Sequence, residues 1–362
     1  MTKGAIPSQD LKKNVNLGVF KNVKEEHISP ASIDVTISGE IYRVDGVFLP
    51  KTGESIQSLI KRMNGTRHAI NEPLERGVIY VVRLNEQFDL PHDIYGYCNP
   101  KSSTGRHDLH VRVIKDDVAR YDTLPKGSKG DLWAIVVPRS YPVLLPINFP
   151  ISQIRFFNED TRFSEEDLRK QFEISPFVYQ LNGVPSQYND LVMTDGDGSI
   201  LLTLDLSQDI VGYECRGGNT VLDLGAANAS LDSSKYFTPL HKNGDSLLLH
   251  KDSFYILSTK EALRVPPYIA SEMVDMDSRT GEFRTHYAGF FDPGWGYGAK
   301  GEGKGRPITL EVRSFEDVVV THGQPIGKVR FERMAQVPEV HYDQKNSNYK
   351  MQSGPKLAKQ FK

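Results

Sequence analysis

The chain contains an internal repeat, and this feature constrains its fold more than any other. Residues 77–97 align without a gap with residues 252–272, and residues 150–156 (PISQIRF) align with residues 325–331 (PIGKVRF) at the same offset. Four identical pairs support the first alignment: Tyr80 with Tyr255, Glu86 with Glu261, Pro91 with Pro266 and Ile94 with Ile269. An offset of this size is too long for a solenoid repeat and suits a duplicated domain. We therefore expect two related domains.

Length and composition bound the class of protein. A chain of 362 residues can form two domains that each bury a core. A formal net charge of -2 argues against a nucleic-acid-binding surface, which is usually basic, but it leaves room for a pocket that binds a small anion. The two cysteines, Cys98 and Cys215, indicate a reduced protein. The beginning of the sequence lacks a signal-peptide pattern and no run of 18 apolar residues occurs, so we expect a soluble cytoplasmic protein that does not bind membranes.

Strand signals dominate the sequence and predict a mainly β fold. Short β-branched or aromatic runs alternate with turn-rich stretches, at 79–84, 132–137, 199–205, 254–258, 308–312 and 317–321. This spacing favours two tandem β-barrels or sandwiches over alternating strands and helices. A few short helices are expected, beginning near Ser8, Ser55 and Ser164, the last with a capping-box pattern.

The repeat and the composition together predict the domain boundaries. We expect an N-terminal barrel over residues 1–160, a linker over 161–187 and a C-terminal barrel over 188–338. Residues 339–362 are polar and basic without periodicity, so we expect them to form a mobile tail.

A first candidate site lies at residues 99–106 (NPKSSTGR), directly after a strand-like run. Hydroxyls, a lysine and an arginine on a tight turn can surround phosphate oxygens, with backbone N–H groups as further donors. The alternative is a surface hairpin whose serine and threonine side chains bind their own backbone.

A second candidate site combines the turn at 288–295 (AGFFDPGW) with the apolar run that contains Glu311. Burial raises the pKa of a carboxylate, which suits a glutamate within a strand to proton transfer near neutral pH. The alternative is a glutamate on an edge strand that faces water.

Two further patterns are weaker. His107 and His110 have the i, i+3 spacing of metal ligands on a helix, but on a strand they would point to opposite faces. The zinc-deaminase signature is absent from the sequence. The glycine-rich stretch 296–306 lacks the spacing of a phosphate-binding P-loop, so we expect a flexible hairpin there.

These segments together resemble the dCTP deaminase family, which shares its fold with the trimeric dUTPases. The family's Arg-Ser-Ser-x-x-Arg turn is matched by residues 101–106 (KSSTGR), with lysine in place of the first arginine. Its Ile-Asp-Pro-Gly-Trp turn and Leu-Glu strand are matched by 291–295 (FDPGW) and 310–311 (LE). An early Pro-Ala-Ser-x-Asp-Leu segment is matched by 30–35 (PASIDV), and 342–355 is similar to the family's C-terminal closing segment.

The resemblance implies two dUTPase-like distorted β-barrels and hydrolytic deamination of dCTP to dUTP and ammonia without zinc. By the resemblance, Glu311 activates the water that attacks C4 of cytosine, and Ser102 helps to hold the water and the base. Arg106 would lie near the developing negative charge, and Ala288 would offer a backbone group to the water. Mg²⁺ would arrive with the triphosphate. The expected substrate contacts come from Lys101, Ser103, Asp292, Tyr342, Lys345, Lys350 and Gln352.

The two copies have lost different parts of this set. In the N-terminal copy the glutamate position falls on Ile135 or Val136, depending on a one-residue gap, and in the C-terminal copy the serine turn falls on residues 276–279 (MDSR). In the family, the serine turn and the glutamate come from adjacent subunits. We therefore hypothesise that Ser102 and Arg106 of one barrel act together with Glu311 of the other.

Several alternatives stay open. The chain could be a dUTPase, a bifunctional deaminase-diphosphatase or a nucleotide-binding regulator that has lost catalysis. We expect a homo-oligomer, but the sequence decides neither the number of subunits nor the phosphate number of the nucleotide, nor whether dTTP inhibits.

Overall fold

A computed structural model describes residues 2–191, 196–277, 289–345 and 353–362, and the backbone alone at 283–285. The described chain forms two compact units. The N-terminal unit comprises Ile6–Glu159, Gly217–Asp232 and Gln360–Lys362. The C-terminal unit comprises Met1–Ala5, Asp160–Arg216 and Ser233–Lys359. Each unit therefore contains segments from distant parts of the sequence.

Residues 2–160 contribute three α-helices and ten strands, in the order α1 (Ser8–Asn16), β1 (Phe20–Lys21), β2 (Ile33–Val44), α2 (Ile56–Arg62), β3 (Thr66–His68), β4 (Ile79–Asp89), β5 (Tyr95–Pro100), α3 (Ser102–Gly105), β6 (Leu109–Ile114), β7 (Thr123–Leu124), β8 (Lys129–Pro138), β9 (Val143–Leu144) and β10 (Pro150–Phe157).

The described residues after 160 add α4 (Glu165–Ile174), β11 (Val178–Gln180), β12 (Ile200–Thr203), β13 (Ile210–Cys215), β14 (Leu222–Asp223), β15 (Phe237–His241), β16 (Ser246–Leu249), β17 (Phe254–Leu263), β18 (Ile269–Val274), β19 (Phe283–Thr285), β20 (Phe290–Phe291), β21 (Arg306–Ser314), β22 (Val318–Thr321) and β23 (Pro325–Arg333). Short 3₁₀ helices lie at Glu25–His27, Tyr188–Asp190, Ser233–Lys235 and Tyr342–Gln344. The predicted mainly β fold is confirmed.

The N-terminal unit is built on one nine-stranded sheet. Its strands run in the order β6-β8-β4-β2-β10-β5-β7, with β1 added to β4 and β3 to β2. The strands β2 and β4 are long and change partners along their length, so that the sheet curves around its own apolar face. Buried and half-exposed residues alternate over most of β4, as expected for a strand with one face in a core.

The C-terminal unit divides its strands between larger and smaller sheets. One sheet runs β15-β13-β17-β21-β19 with β11 added to β17, another runs β12-β23-β18-β20, and β16 pairs with β22. Its core contains stacked rings of Phe177 and Phe331, whose centroids lie 4.3 Å apart.

The structure confirms the internal repeat in its hydrogen bonds. Glu86 and Glu261 each accept the backbone N–H and the hydroxyl of one threonine, Thr36 at 2.7 and 2.8 Å and Thr203 at 2.7 and 2.5 Å. Each glutamate lies where its strand shifts register against the next strand. We call this arrangement the Thr–Glu clasp; it satisfies a backbone donor at a β-bulge in both units.

Strand register settles which N-terminal residue corresponds to Glu311. Tyr80 lies opposite Val136 just as Tyr255 lies opposite Val312. The preceding residue of each of those strands is therefore the equivalent position, and it is Ile135 in the N-terminal unit. Ile135 belongs to an apolar cluster around α2 and is 2% exposed.

The three predicted helices are present, and α2 and α4 have the side-chain caps that their sequences predict. Ser55 caps α2 by accepting the N–H of Ser58 at 3.2 Å. Ser164 and Asp167 form a reciprocal capping box at α4. At α1 the cap is Pro7, and Ser8 is the first helical residue. The short helix α3 was not predicted.

The structure places residues of the predicted linker and tail in the two units. Within 161–187, the amphipathic helix α4 contributes Leu168 and Phe172 to the core of the C-terminal unit, and Phe177, just before β11, lies in the same core. In the predicted tail, Tyr342–Gln344 is helical and Phe361 is 7% exposed.

Candidate active site

The turn with the sequence KSSTGR follows β5 as the short helix α3. Ser102 and Ser103 are half-buried at its beginning. Lys101 forms an ion pair with Asp34 of the PASIDV segment. The contact joins the two segments, since Asp34 holds the lysine that opens the turn.

The second half of this turn is buried. The hydroxyl of Thr104 donates to the carbonyl of Ile151 at 3.2 Å, and Arg106 is 3% exposed. The interpretation of residues 99–106 as a surface hairpin is therefore wrong. A turn with half-buried serines over a buried arginine can present hydroxyls to a ligand and keep a fixed positive charge behind them.

Directly after the turn, the chain is also held tightly. His107 is 2% exposed, and Asp108 has a φ of 55°, a conformation that aspartate tolerates better than most residues. The hydroxyl of Ser140 donates to Asp108 at 2.5 Å. Over the described residues, no group of three or more histidine, cysteine, aspartate or glutamate side chains converges as a metal site requires.

Glu311 lies in β21, between β17 and β19, at the position opposite Ile256. It is 1% exposed, and the interpretation as a water-facing glutamate on an edge strand is wrong. Because side chains alternate along a strand, Glu311 points to the face opposite to Leu310 and Val312. The carboxylate is thus removed from bulk water while it stays outside the apolar face of its strand.

Thr309 shares the strand face of Glu311, because the two residues are two positions apart. Its hydroxyl is buried and has no hydrogen-bond partner among the residues that the structure describes. A buried hydroxyl beside the carboxylate can bind a water molecule or a polar ligand atom. Thr309 has no sequence signal beyond its place two residues before the glutamate.

The DPGW turn packs against the beginning of the closing segment. Gly294 has a φ of 91°, and a β-carbon there would lie 2.3 Å from Nδ1 of His341, so glycine is required on both grounds. The ring of Trp295 lies 5.0 Å from that of Tyr342, and the N–H of Tyr342 donates to the carbonyl of Pro293 at 2.8 Å. Burial lowers the pKa of His341, against the opposing effect of Asp343.

Asp343 ties the closing segment to the glycine-rich loop 296–306. Its carboxylate is 1% exposed, pairs with Arg306 at 2.8 Å and accepts the N–H of Gly298 at 2.8 Å. The loop also folds on itself, with the N–H of Gly303 donating to the carbonyl of Tyr297 at 2.7 Å. Asp343 and Arg306 are structural partners that sequence patterns did not single out.

The predicted site residues divide between the two units. Four of them lie in the N-terminal unit: Lys101, Ser102, Ser103 and Arg106. Four others lie in the C-terminal unit: Asp292, Glu311, Tyr342 and Lys345. Ala288, Lys350 and Gln352 lie outside the described residues. Asp292 is 8% exposed.

Comparison with known proteins gives the chain relatives over most of its length. Residues 2–160 match the family model of the 2'-deoxycytidine 5'-triphosphate deaminase (DCD) N-terminal domain, and residues 180–361 match the model of the C-terminal domain. The crystal structure of 2'-deoxycytidine 5'-triphosphate deaminase from Agrobacterium tumefaciens covers 94% of this chain, and this chain covers all of it. The two are 32% identical and superpose with a TM-score of 0.83.

Curated relatives match a smaller part. Proteins from two strains of Corynebacterium glutamicum, each described as "dCTP deaminase, dUMP-forming", are 28% identical over 127 residues. The match spans 33% of this chain and 62% of each relative. This chain therefore spans less than two thirds of the length of those relatives.

The strand arrangement and the repeated Thr–Glu clasp define a duplicated protein of two tandem dUTPase-like units. Both halves match the corresponding domain models of one family. The chain belongs to the dCTP deaminase family, in its two-domain form. Among the described residues, no helix combines the length and the apolar character that crossing a membrane requires.

Proposed function

We propose that this protein catalyses the hydrolytic deamination of dCTP to dUTP and ammonia, with Glu311 as the general base. The observation that carries the proposal is the position of Glu311: a carboxylate 1% exposed within β21, where the equivalent residue of the N-terminal unit is Ile135. Burying a carboxylate costs free energy that hydrogen bonds or opposite charges must offset, whereas Ile135 has no such requirement. The presence of the carboxylate in one copy alone supports a role in catalysis.

In the proposed reaction, the Glu311 carboxylate takes a proton from water, and the hydroxide adds to C4 of cytosine. Glu311 then gives this proton to N3. It next transfers the proton of the C4 hydroxyl to the amino group, the C4–N bond breaks, and ammonia leaves as the C4 carbonyl of uracil forms. One water is consumed for each ammonia released, so the reaction needs no oxidant or reductant. The chemistry rests on a protein carboxylate, as in other general acid–base catalysts, and we propose that it needs no zinc.

The turn at α3 supplies the polar contacts in this proposal. Ser102 holds the water and the base, and the buried Arg106 stabilises negative charge that develops on the adduct. Ala288 offers a backbone group to the water. Lys101, Ser103, Asp292, Tyr342, Lys345, Lys350 and Gln352 contact the nucleotide. The nucleotide enters as its Mg²⁺ complex, which lowers the charge that the protein must match.

The test is incubation of the purified protein with dCTP and Mg²⁺, with Glu311→Gln in parallel and products separated by ion-exchange chromatography. We expect dUTP and ammonia from the wild type. We expect a loss of at least about 10²- to 10⁴-fold in the variant, the usual contribution of a general acid–base group, while dCTP still binds. Activity of Glu311→Gln close to wild type would exclude Glu311 as the base.

A second candidate reaction is supported by the relatives that are described as dUMP-forming. A bifunctional deaminase-diphosphatase would release dUMP and pyrophosphate from dCTP, and the same chromatogram separates dUMP from dUTP. Binding of dCTP without any product would instead indicate a regulator. We also propose a homo-oligomer, which light scattering would detect as a multiple of the chain mass.

A further inference from the structure

We propose that the segment Gln360–Lys362 is a positioning element for the catalytic turn at residues 101–106, with Phe361 as its central side chain. We call Gln360–Lys362 the anchor segment. The inference rests on the proposed function, because it assigns a role in the deamination to residues outside the proposed nucleotide contacts.

The anchor segment is fixed in the N-terminal unit by its backbone and by one side-chain amide. The N–H of Leu231 donates to the carbonyl of Gln360 at 2.8 Å, and the N–H of Lys362 donates to the carbonyl of Leu231 at 2.9 Å. The side-chain amide of Gln360 donates to the carbonyl of Leu224 at 3.1 Å and is almost fully buried. These hydrogen bonds fix the position of the anchor segment relative to Leu224 and Leu231.

Phe361 connects the anchor segment to the turn. Its side chain is 7% exposed, and its ring centroid lies 5.8 Å from that of His107, with the ring planes at 46°. His107 directly follows Arg106, and it is 2% exposed. The position of the phenyl ring therefore limits where the end of the turn can lie.

The segment that binds the anchor segment is also bonded to Ser140, which holds the residues after the turn from a second side. The segment Gly217–Asp232 contains both Leu224 and Leu231 and runs beside residues 140–144. The N–H of Gly218 donates to the carbonyl of Ser140 at 3.1 Å, and β14 pairs with β9 in parallel. The hydroxyl of Ser140 in turn binds Asp108. His107 and Asp108 are thus held together, one by Phe361 and the other by Ser140.

This arrangement matters for catalysis because Ser102 and Ser103 open a short helix whose position depends on the buried residues that follow it. The helix α3 has four residues, and Ser102 and Ser103 are only half-buried. A short helix does not hold itself in place. A displacement of about 1 Å in a positioning group can lower a rate about 10²-fold. The buried contact with Phe361 prevents such a displacement at the end of the turn.

The experiment compares Phe361→Ala with Phe48→Ala in the full chain. Phe48 is a matched control, since it is a phenylalanine 8% exposed in the same unit and packs in the cluster around α2. We expect Phe361→Ala to lower kcat for dCTP about 10- to 100-fold, with a smaller change in KM. We expect Phe48→Ala to lower the thermal unfolding midpoint at least as much while kcat stays near wild type.

Phe361→Leu keeps an apolar side chain of similar size, so it should fold and recover most of the kcat. If Phe361→Ala does not fold, the kcat of Phe361→Leu still tests the proposal. Equal losses of kcat in the two alanine variants, in proportion to lost stability, would overturn the proposal, and so would wild-type kcat in Phe361→Ala.

Hydrogen exchange separates this proposal from the proposed function. In Phe361→Ala without nucleotide, the amides of residues 104–108 should exchange faster than in wild type and in Phe48→Ala. If the wild type has no activity on dCTP but amide exchange at 104–108 is faster in Phe361→Ala, the anchor segment holds the turn and the assigned reaction is wrong. Unchanged exchange at 104–108 would contradict the anchor whatever the activity.

Discussion

Ser102 and Ser103 are neighbours with different predicted roles, and single substitutions should separate them. Ser102→Ala removes the hydroxyl that we assign to the water and the base, so kcat should fall by about 10²-fold or more, with dCTP binding retained. Ser103→Ala removes a proposed nucleotide contact, so mainly KM should rise. Steady-state kinetics with dCTP and Mg²⁺ give both constants. Identical effects in the two variants would contradict the division of roles.

At the scale of single residues, sequence patterns identified side chains that belong to a local motif and missed those whose role depends on partners far away in the sequence. Glu311 could be singled out as a candidate because a carboxylate interrupts an apolar strand, and the structure shows that it is buried. The contact between Lys101 and Asp34 could not, since nothing in either segment indicates its partner. The same holds for Phe361, whose neighbour His107 lies in the other half of the chain.

The Thr–Glu clasp is the element-scale feature that both units share, and it should make stability depend on pH. Burial raises the pKa of Glu261 above 4.5, against the opposing hydrogen bonds from Thr203. The folded state therefore favours the protonated carboxyl. The proton on Glu261 stabilises the folded state fully below pH 4.5, and this stabilisation is lost as pH rises through the raised pKa.

Glu261→Gln should remove this dependence, because the amide is neutral and can still accept the N–H of Thr203. Thermal unfolding midpoints from pH 4.5 upward measure it. We expect the midpoint of the variant to rise relative to wild type as pH increases. Burial also raises the pKa of Glu86, so Glu86→Gln should behave alike. A difference that stays constant with pH would show that the clasp does not titrate in this range.

Among the elements, strands were predicted better than connections. The run at 254–258 lies within β17, and the run at 308–312 lies within β21. Both runs are rich in apolar residues, and this strand signal lies within the run itself. The helix α3 was missed because Ser, Thr and Gly favour turns, and the buried contacts of Thr104 and Arg106 stabilise it instead.

At the scale of the whole molecule, the two units are related by duplication. We expect equivalent positions of the two units to tolerate different side chains. Ile135 lies in an apolar cluster, whereas its counterpart Glu311 is a carboxylate. Ile135→Glu would bury a charge among apolar side chains, which costs several kcal/mol. We expect a lower unfolding midpoint and no deaminase activity when this change is combined with Glu311→Gln. Recovered activity in the double variant would show that the two positions are interchangeable.

The two-fold duplication and the β class could be predicted for the molecule as a whole, because the repeat is visible in identical residues at a constant offset. The set of chain segments that forms each unit could not be predicted. The assignment of Gly217–Asp232 to the N-terminal unit depends on backbone hydrogen bonds to residues 140–144, which any sequence can form.

The anchor segment also has a consequence for biosynthesis. A ribosome makes Gln360–Lys362 only after it has made the whole C-terminal unit, yet these residues complete the N-terminal unit. A nascent chain can therefore form most of the nine-stranded sheet early while the end of the turn with Ser102 and Arg106 still lacks Phe361. Competence for catalysis should then appear late in synthesis, after the second unit has emerged, rather than when the first sheet has folded.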